Sequence, residues 1–458
     1  TITKADFAIP SLSSAAETYQ KVNNYDKAGQ MFELVFQRYA DDSRTPQALY
    51  NGGLILEKGK LYERAIKSYR ILAEKYPRSE YAEEASYSIG LCYKEMGRQE
   101  EAAEAFEEFA KKFENKAKQV EALIAAGDAY YELKKYKDAE NNYLSAATLY
   151  DKFKKKVEFN IASVAKAAFR LGQIYHEEYD AIKLTGRRER DVRKALKEKT
   201  KALEKVLKQY ALAIETGVQD WVLRATYEIG ESFVNMAQAE RNQKLFGSKD
   251  QRIASKIQII LKLEKYYIKA QEKYYWNIQK AHDDNIKDAY VDSSISSFME
   301  MGYRIGRLFE EVGEILASAP APSGLSKEEL QAYREILEEK KLEAMDKALP
   351  KYEEAVKAAQ DLGIARSQWL DSCKARIRVI NPTSQWLTVD ITPWTPGQNR
   401  TADAGGQQAA GEGAGNDGGA GAGNDQALQG QEVDSGEQEQ EEKTEPEGRK
   451  KRKKRGNR

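Results

Sequence analysis

His176 and His282 are the only histidines of this 458-residue chain, and Cys92 and Cys373 the only cysteines. These residue types most often carry proton transfer, nucleophilic attack or metal binding, so their spacing decides whether an enzyme is to be expected. Neither histidine belongs to an HExxH sequence and no CxxC is present, which argues against a zinc site or a disulfide framework. Cys373 lies near Asp371 and Lys374 with no histidine close in sequence, and Cys92 follows Leu91 where a small buried residue is expected. No Walker P-loop occurs. The glycines of 411–423 sit in low-complexity sequence, without the preceding strand and following helix that a phosphate cradle needs. Acidic pairs such as Glu83–Glu84 and Glu107–Glu108 read as solvated helix faces. The expectation is a non-enzymatic protein with no catalytic residues, no metal, no cofactor and no small-molecule substrate.

The elements that position the side chains must be helices. Before residue 320 the only prolines are Pro10, Pro46 and Pro77, and strong helix formers fill the space between them. The 73 basic and 73 acidic residues balance, so the whole chain has no net field to draw it to nucleic acid. No apolar run approaches the roughly 18 residues that span a bilayer. Thr1 in first place reads as a processed or truncated chain, with any signal peptide, lipid anchor or further domain upstream.

A repeat organises the first part. Ala28, Ala65, Ala102 and Ala139 recur every 37 residues, and four positions after each comes a ring: Phe32, Tyr69, Phe106, Tyr143. Twelve positions before them come Ala16, Gly53, Gly90 and Gly127, and three residues on from these Tyr19, Leu56, Tyr93 and Tyr130. Two antiparallel helices need small residues where backbones meet and large ones beside them. A single pair cannot bury its apolar face, whereas stacked pairs can.

This pattern over 11–150 resembles the tetratricopeptide repeat (TPR), with its Leu-Gly and Tyr on helix A, its Ala, Phe and Ala on helix B, and a closing Pro. The period of 37 exceeds the family's roughly 34, which implies longer turns. The resemblance implies an all-α, TPR-type α-solenoid of stacked antiparallel helix pairs. Residues 1–150 form four regular units, and 151–396 a degenerate continuation with longer, irregular helices and a capping helix. In that continuation, 168–175 and 227–233 read as helices A. Val206, Tyr210 and Ala213, then Ala270 and Tyr274, then Ala348, Tyr352 and Ala355 read as helices B. Ser326 and Glu329 form a capping box, 364–380 reads as the capping helix, and 388–391 as a short extended segment. Residues 397–458, rich in Gly, Ala, Gln and Glu, are expected to be disordered. They end in the basic cluster Arg449, Lys450, Lys451, Arg452, Lys453, Lys454 and Arg455.

In the TPR family, helix A positions around the Leu-Gly pair line a partner-binding groove. Carried over, these are Tyr50, Leu54, Tyr87, Leu91, Ile124, Asp128, Tyr131, Phe169, Gln173 and His176. The Lys/Asn/Arg clamp of chaperone-binding TPRs is absent, since Tyr50, Leu54, Tyr87 and Leu91 take its places, so acidic chaperone tails are not expected as ligands. The stretches 165–172, 320–326, 347–352 and Tyr76-Pro77-Arg78-Ser79 resemble TPR proteins of Gram-negative envelopes, including some linked to gliding motility. That resemblance implies a scaffold in a cell-envelope assembly, periplasmic or outer-membrane-associated, with envelope-complex subunits as partners. The basic tail adds possible contact with an anionic surface. No aromatic residue interleaves its charges, so specific nucleic-acid binding is not expected. The alternative is a cytoplasmic regulatory or RNA-associated adaptor led by that tail.

Overall fold

The computed structural model describes residues 4–393, and the expected disordered tail with its basic cluster lies outside them. Among the described residues the secondary structure is helical, arranged as consecutive antiparallel pairs. The pairs are α1 (Lys4–Lys21) with α2 (Tyr25–Tyr39), α3 (Thr45–Lys58) with α4 (Tyr62–Lys75), α5 (Ala82–Glu95) with α6 (Gln99–Lys112), and α7 (Lys116–Glu132) with α8 (Tyr136–Phe153). Longer pairs follow: α9 (Ile161–Ala181) with α10 (Glu189–Glu215), α11 (Gln219–Arg241) with α12 (Lys249–Asp283), and α13 (Ala289–Ala317) with α14 (Lys327–Leu362). Helix α15 (Gln368–Ile380) caps the last pair against α13 and α14. It starts four residues later than the sequence suggests. Residues 388–391 form no strand; a 3-10 turn at Gln385–Leu387 precedes them, and Ile391 packs into the core.

One contact defines every pair. Ala28, Ala65, Ala102 and Ala139 are fully buried, and from the second pair onward the ring one turn later enters the space left by a glycine on the first helix, while in the first pair Ala16 holds the glycine's place. A Cβ on Gly127 would lie 2.6 Å from the Tyr143 ring, and one on Gly172 2.5 Å from the Tyr210 ring. Gly53 meets Tyr69, Gly90 meets Phe106, Gly230 meets Tyr274, and Gly306 meets Tyr352 in the same way. The long pairs therefore keep the contact of the short ones.

The turns inside the short pairs are alike. Residues 22–24, 59–61, 96–98 and 133–135 each have a left-handed central residue: Asn23 (φ 57°), Lys60 (58°), Gly97 (73°) and Lys134 (58°). In each, the next amide donates back to the carbonyl of Tyr19, Leu56, Tyr93 or Tyr130, the closing bond of a Schellman turn. These turns are short. The extra length over a shorter TPR period goes instead into the connections 40–44 and 76–81 between pairs and into the longer helix α7.

The starts are set locally. Asn24, Asn115 and Asn160 accept from the amides of Lys27, Lys118 and Ser163, and Ser248 with Gln251 and Ser326 with Glu329 form reciprocal capping boxes. Pro46 sits in the first turn of α3, where its missing N–H costs nothing.

Candidate partner-binding face

The first helices of successive pairs touch one another: α3 meets α5, α7 meets α9, α9 meets α11, and α11 meets α13. They form a layer in which one register position recurs from helix to helix. Three residues before each defining glycine stand Tyr50, Tyr87, Ile124, Phe169, Tyr227 and Tyr303.

The rings in this column are partly spent on packing. Tyr50 lies against Tyr69 (6.1 Å between centroids) and stacks on Tyr81, the residue that precedes α5 (5.4 Å). Tyr87 meets Phe106 and Phe109. Phe169 meets Tyr210 and Trp221 of α11, Tyr227 meets Tyr274 and Tyr290 of α13, and Tyr303 meets Tyr352 and Trp369 of α15. Each such ring grips its own pair and, in four units, the next one. Ile124 and Phe169 are 4 % and 3 % exposed, so both are core residues and offer no surface to a partner. Burial also pushes the Tyr87 phenol up to about 12.

The other positions divide in two. On α3 and α5, Leu54 is 41 % exposed and Leu91 half-buried, and they lie beside Tyr50 and Tyr87 as an apolar strip. On α7 and α9 the column is polar and internally bonded. Asp128 accepts from Tyr143 Oη at 2.7 Å and from Lys166 Nζ at 2.5 Å. Tyr131 donates to Gln173 at 3.3 Å beneath the Arg170 guanidinium, which lies 4.4 Å from its ring centroid. His176 contacts Tyr210 Oη and Asn235 at 3.4 Å and Glu228 at 3.5 Å. Of these positions Leu54 is exposed apolar surface, and Tyr50, Tyr87 and Leu91 are half-buried beside it or at the matching place one repeat on. Asp128, Tyr131, Gln173 and His176 instead stitch one helix pair to the next.

A second pattern escapes sequence reading. Wherever the second helix carries a tyrosine at the defining contact, the first carries an acceptor beside its glycine. Glu57, His176 and Glu310 stand four residues on, and Asp128 and Glu231 one residue on; they meet Tyr69, Tyr210, Tyr352, Tyr143 and Tyr274. The units with Phe32 and Phe106 have no hydroxyl to satisfy, and the positions after Gly90 are Leu91 and Lys94. A buried phenol without an acceptor costs about 1–3 kcal/mol, which accounts for the pairing. The signal was a covariation between units of one chain.

Neither thiol is arranged for chemistry. Cys92 and Cys373 are buried, and burial pushes both up to about 12. Among the described residues no group of three or more His, Cys, Asp or Glu side chains is placed to hold a metal, and no helix is long and apolar enough to cross a membrane.

The tetratricopeptide repeat family model matches residues 47–79 and 84–115, which cover α3 with α4 and most of α5 with α6. Those two segments are tetratricopeptide repeats. The other TPR-like pairs share with them the small-residue and ring contact described above. Among solved structures the chain is similar to a TPR protein from Parabacteroides merdae (12 % identity, TM-score 0.29, 64 % of this chain and 99 % of that one). It is also similar to the C-terminal part of a TPR repeat-containing protein from Cytophaga hutchinsonii (14 % identity, TM-score 0.28, 70 % of this chain and 98 % of that one). At these scores neither carries weight beyond the repeats themselves. No curated protein matches the chain.

Proposed function

We propose that this chain is a non-enzymatic scaffold whose TPR helices hold an extended or helical segment of a partner protein along the first-helix face. The observation that carries this reading is the apolar strip of α3 and α5, where Leu54 and Leu91 occupy equivalent positions one repeat apart beside half-buried tyrosines. Such a strip favours apolar anchor side chains over a carboxylate, so heat-shock chaperone tails are not its ligands. Tyr50 and Tyr87 hold the repeats together, so they are poor residues for a test. Leu54→Glu with Leu91→Glu places charge in the strip, and thermal unfolding checks that the fold survives. Gentle crosslinking in the native host should recover partners with wild type and lose them with this variant. Recovery of the same partners by both would refute the reading.

The finer reading is a place in a bacterial cell-envelope assembly, periplasmic or outer-membrane-associated, supported by the short sequence stretches that resemble envelope TPR proteins. The basic cluster at 449–455 supports a second contact with an anionic surface, raising avidity through effective concentration. Cell fractionation and binding of a chain ending at Arg400 to anionic vesicles test these two points. Cytoplasmic recovery together with tail-dependent RNA binding would favour the adaptor reading instead.

A further inference from the structure

The outward face of α10 is strongly basic. Its buried residues, Val192, Lys199, Leu203, Val206, Tyr210 and Ala213, lie on the side turned to the stack. Arg190, Lys194, Lys197, Lys201, Lys205 and Lys208 follow one another at steps of three and four residues on the opposite side, and all six are exposed. At the rise of an α-helix the row is about 27 Å long. We infer that this face is a docking surface for a membrane carrying anionic lipid, independent of the basic tail and of the apolar strip.

The acidic residues of α10 do not neutralise the row. Glu189 is held by Arg193 at 2.6 Å, Asp191 by Arg188 at 3.1 Å, and Glu198 lies 3.7 Å from Lys194. Glu204 remains on the face, against Lys197, Lys201, Lys205 and Lys208, none of which has an ion pair among the described residues. Residues 183–208 hold eleven basic and four acidic side chains, a net charge of +7 in a chain whose total is zero. The turn after α8 adds Lys155 and Lys156, both exposed, at the far end of the row, where Lys154 interacts with Glu215 of α10.

Where the ion pairs go is an independent observation. Lys118 of α7 pairs with Glu84 of α5, Arg241 of α11 with Glu311 of α13, and Arg376 of α15 with Glu310 of α13. Among the described residues, the ion pairs of α10 stay within the helix and its N-cap. Its charges therefore do not hold the stack together. The outward faces of other second helices mix their signs, as with Glu63, Lys67 and Glu74 on α4, and Lys347, Glu354 and Lys357 on α14.

The row suits a mobile anionic surface better than a nucleic acid. Five of its six cations are lysines, point charges without the forked geometry that arginine brings to fixed phosphates. No aromatic residue stands in the row to stack on bases. Ile161, just past Lys156 and 36 % exposed, is an apolar group at the same end that can enter a headgroup layer.

The test uses the full chain with the seven tail cations of 449–455 changed to glutamine, so that the tail contributes no charge. It is sedimented with vesicles of phosphatidylcholine, with and without phosphatidylglycerol. The protein should bind the anionic vesicles only, and less as salt rises. Lys197→Gln, Lys201→Gln and Lys208→Gln together should weaken binding about 100-fold, or about fivefold per charge. The Tm should not change, because these side chains are exposed and unpaired. Lys67→Gln, Lys347→Gln and Lys357→Gln together remove the same charge elsewhere and should leave binding intact. A labelled DNA duplex serves as the competing anion and should bind more weakly than the anionic vesicles. No binding to anionic vesicles, equal binding to neutral ones, an equal loss in both triple variants, or tighter binding to the duplex would overturn the inference.

Discussion

Arg376→Met should loosen the capping helix while leaving the rest of the array folded. Arg376 of α15 donates to Glu310 of α13 through Nε at 2.9 Å and Nη2 at 2.6 Å. Glu310 is 3 % exposed and also accepts from Tyr352 Oη of α14 at 3.0 Å and from Arg307. One carboxylate thus ties the last three helices. A hydrogen bond to a charged group contributes about 1.5–3 kcal/mol, and stripping a buried ion of its partner costs about 3–5 kcal/mol. Arg307 and Tyr352 stay with Glu310 in the variant, and the Arg376 side chain is itself 30 % exposed, so the lower end applies. Methionine keeps the stem packed. The expected loss is about 2 kcal/mol, roughly a 30-fold change in the local opening equilibrium. In a repeat array each unit contacts its neighbours only, so the loss should be local. Native-state hydrogen exchange reads it as about 30-fold faster exchange of protected amides in α15, with α3 to α6 unchanged. The double variant with Glu310→Gln should cost less than the sum of the two singles. Unchanged exchange in α15, or strict additivity, would refute the argument.

Three further outcomes follow from the repeat. Phe106→Tyr should destabilise by about 1–3 kcal/mol, because Leu91 and Lys94 offer its hydroxyl no acceptor, and Leu91→Asp should rescue it by imitating Asp128; urea titration compares the single and double variants. Lys60→Gly and Lys134→Gly should each stabilise by up to about 1 kcal/mol, since both residues are left-handed where Gly97 stands in the third unit, and a rise in Tm checks this. Cys92 and Cys373 should resist a thiol reagent at pH 8 until the chain unfolds. Their folded pKa values are raised above the unfolded value, so their contribution to stability is complete below about pH 8.5 and is lost as pH rises toward about 12. Alkaline urea titrations of Cys92→Ala should show a shallower decline than wild type.

The helix pairs were legible because the contact that makes them is written in two residue types at fixed spacing. Gly53 and Tyr69, or Gly127 and Tyr143, announce themselves once the period is aligned. Val206, Tyr210 and Ala213 could be assigned to a second helix without knowing its start, since the ring and the small residues keep their order. The candidate face was less legible. Tyr50 and Phe169 occupy the same register, yet Phe169 is buried, with Trp221 of α11 and Tyr210 of α10 against its ring. Trp221 is 52 residues away, and no local pattern reports it. The partnership of Asp128 with Tyr143 was open to inspection in the sequence, but only comparison between units gives it meaning. Residues 364–367 look helical by composition, yet Gly363 (φ 67°) ends α14 and Ser367 caps α15.

The loosened period of the second half has a simple origin. Tyr69 follows Gly53 by 16 residues, whereas Tyr210 follows Gly172 by 38 and Tyr352 follows Gly306 by 46. Most of the added residues lie between the two partners of the defining contact, at the turn end of the hairpin; a smaller share lies between units, where Gly172 follows Tyr143 by 29 residues and Gly306 follows Tyr274 by 32, against 21 in the short units. Residues at the turn end can accumulate without moving the ring from its glycine, so the stack continues. The added length still needs its own stabilisation. Where the two helices run side by side, buried polar groups supply it: Lys199 Nζ donates to the Tyr179 carbonyl at 2.7 Å, and Glu240 accepts from Lys262 at 2.6 Å and Tyr266 at 3.0 Å. Where the second helix outruns the first, nothing does. The first half of α14 is mostly open to solvent, with Ile336 and Leu342 52 % and 59 % exposed, and burial begins at Ala344, which meets Gly313. A helix carried past its partner keeps its form through its capping box and its charged faces, Lys340 with Glu343 and Lys341 with Glu338 among them. The repeat contact fixes how pairs stack, and the length beyond it is free to vary from unit to unit.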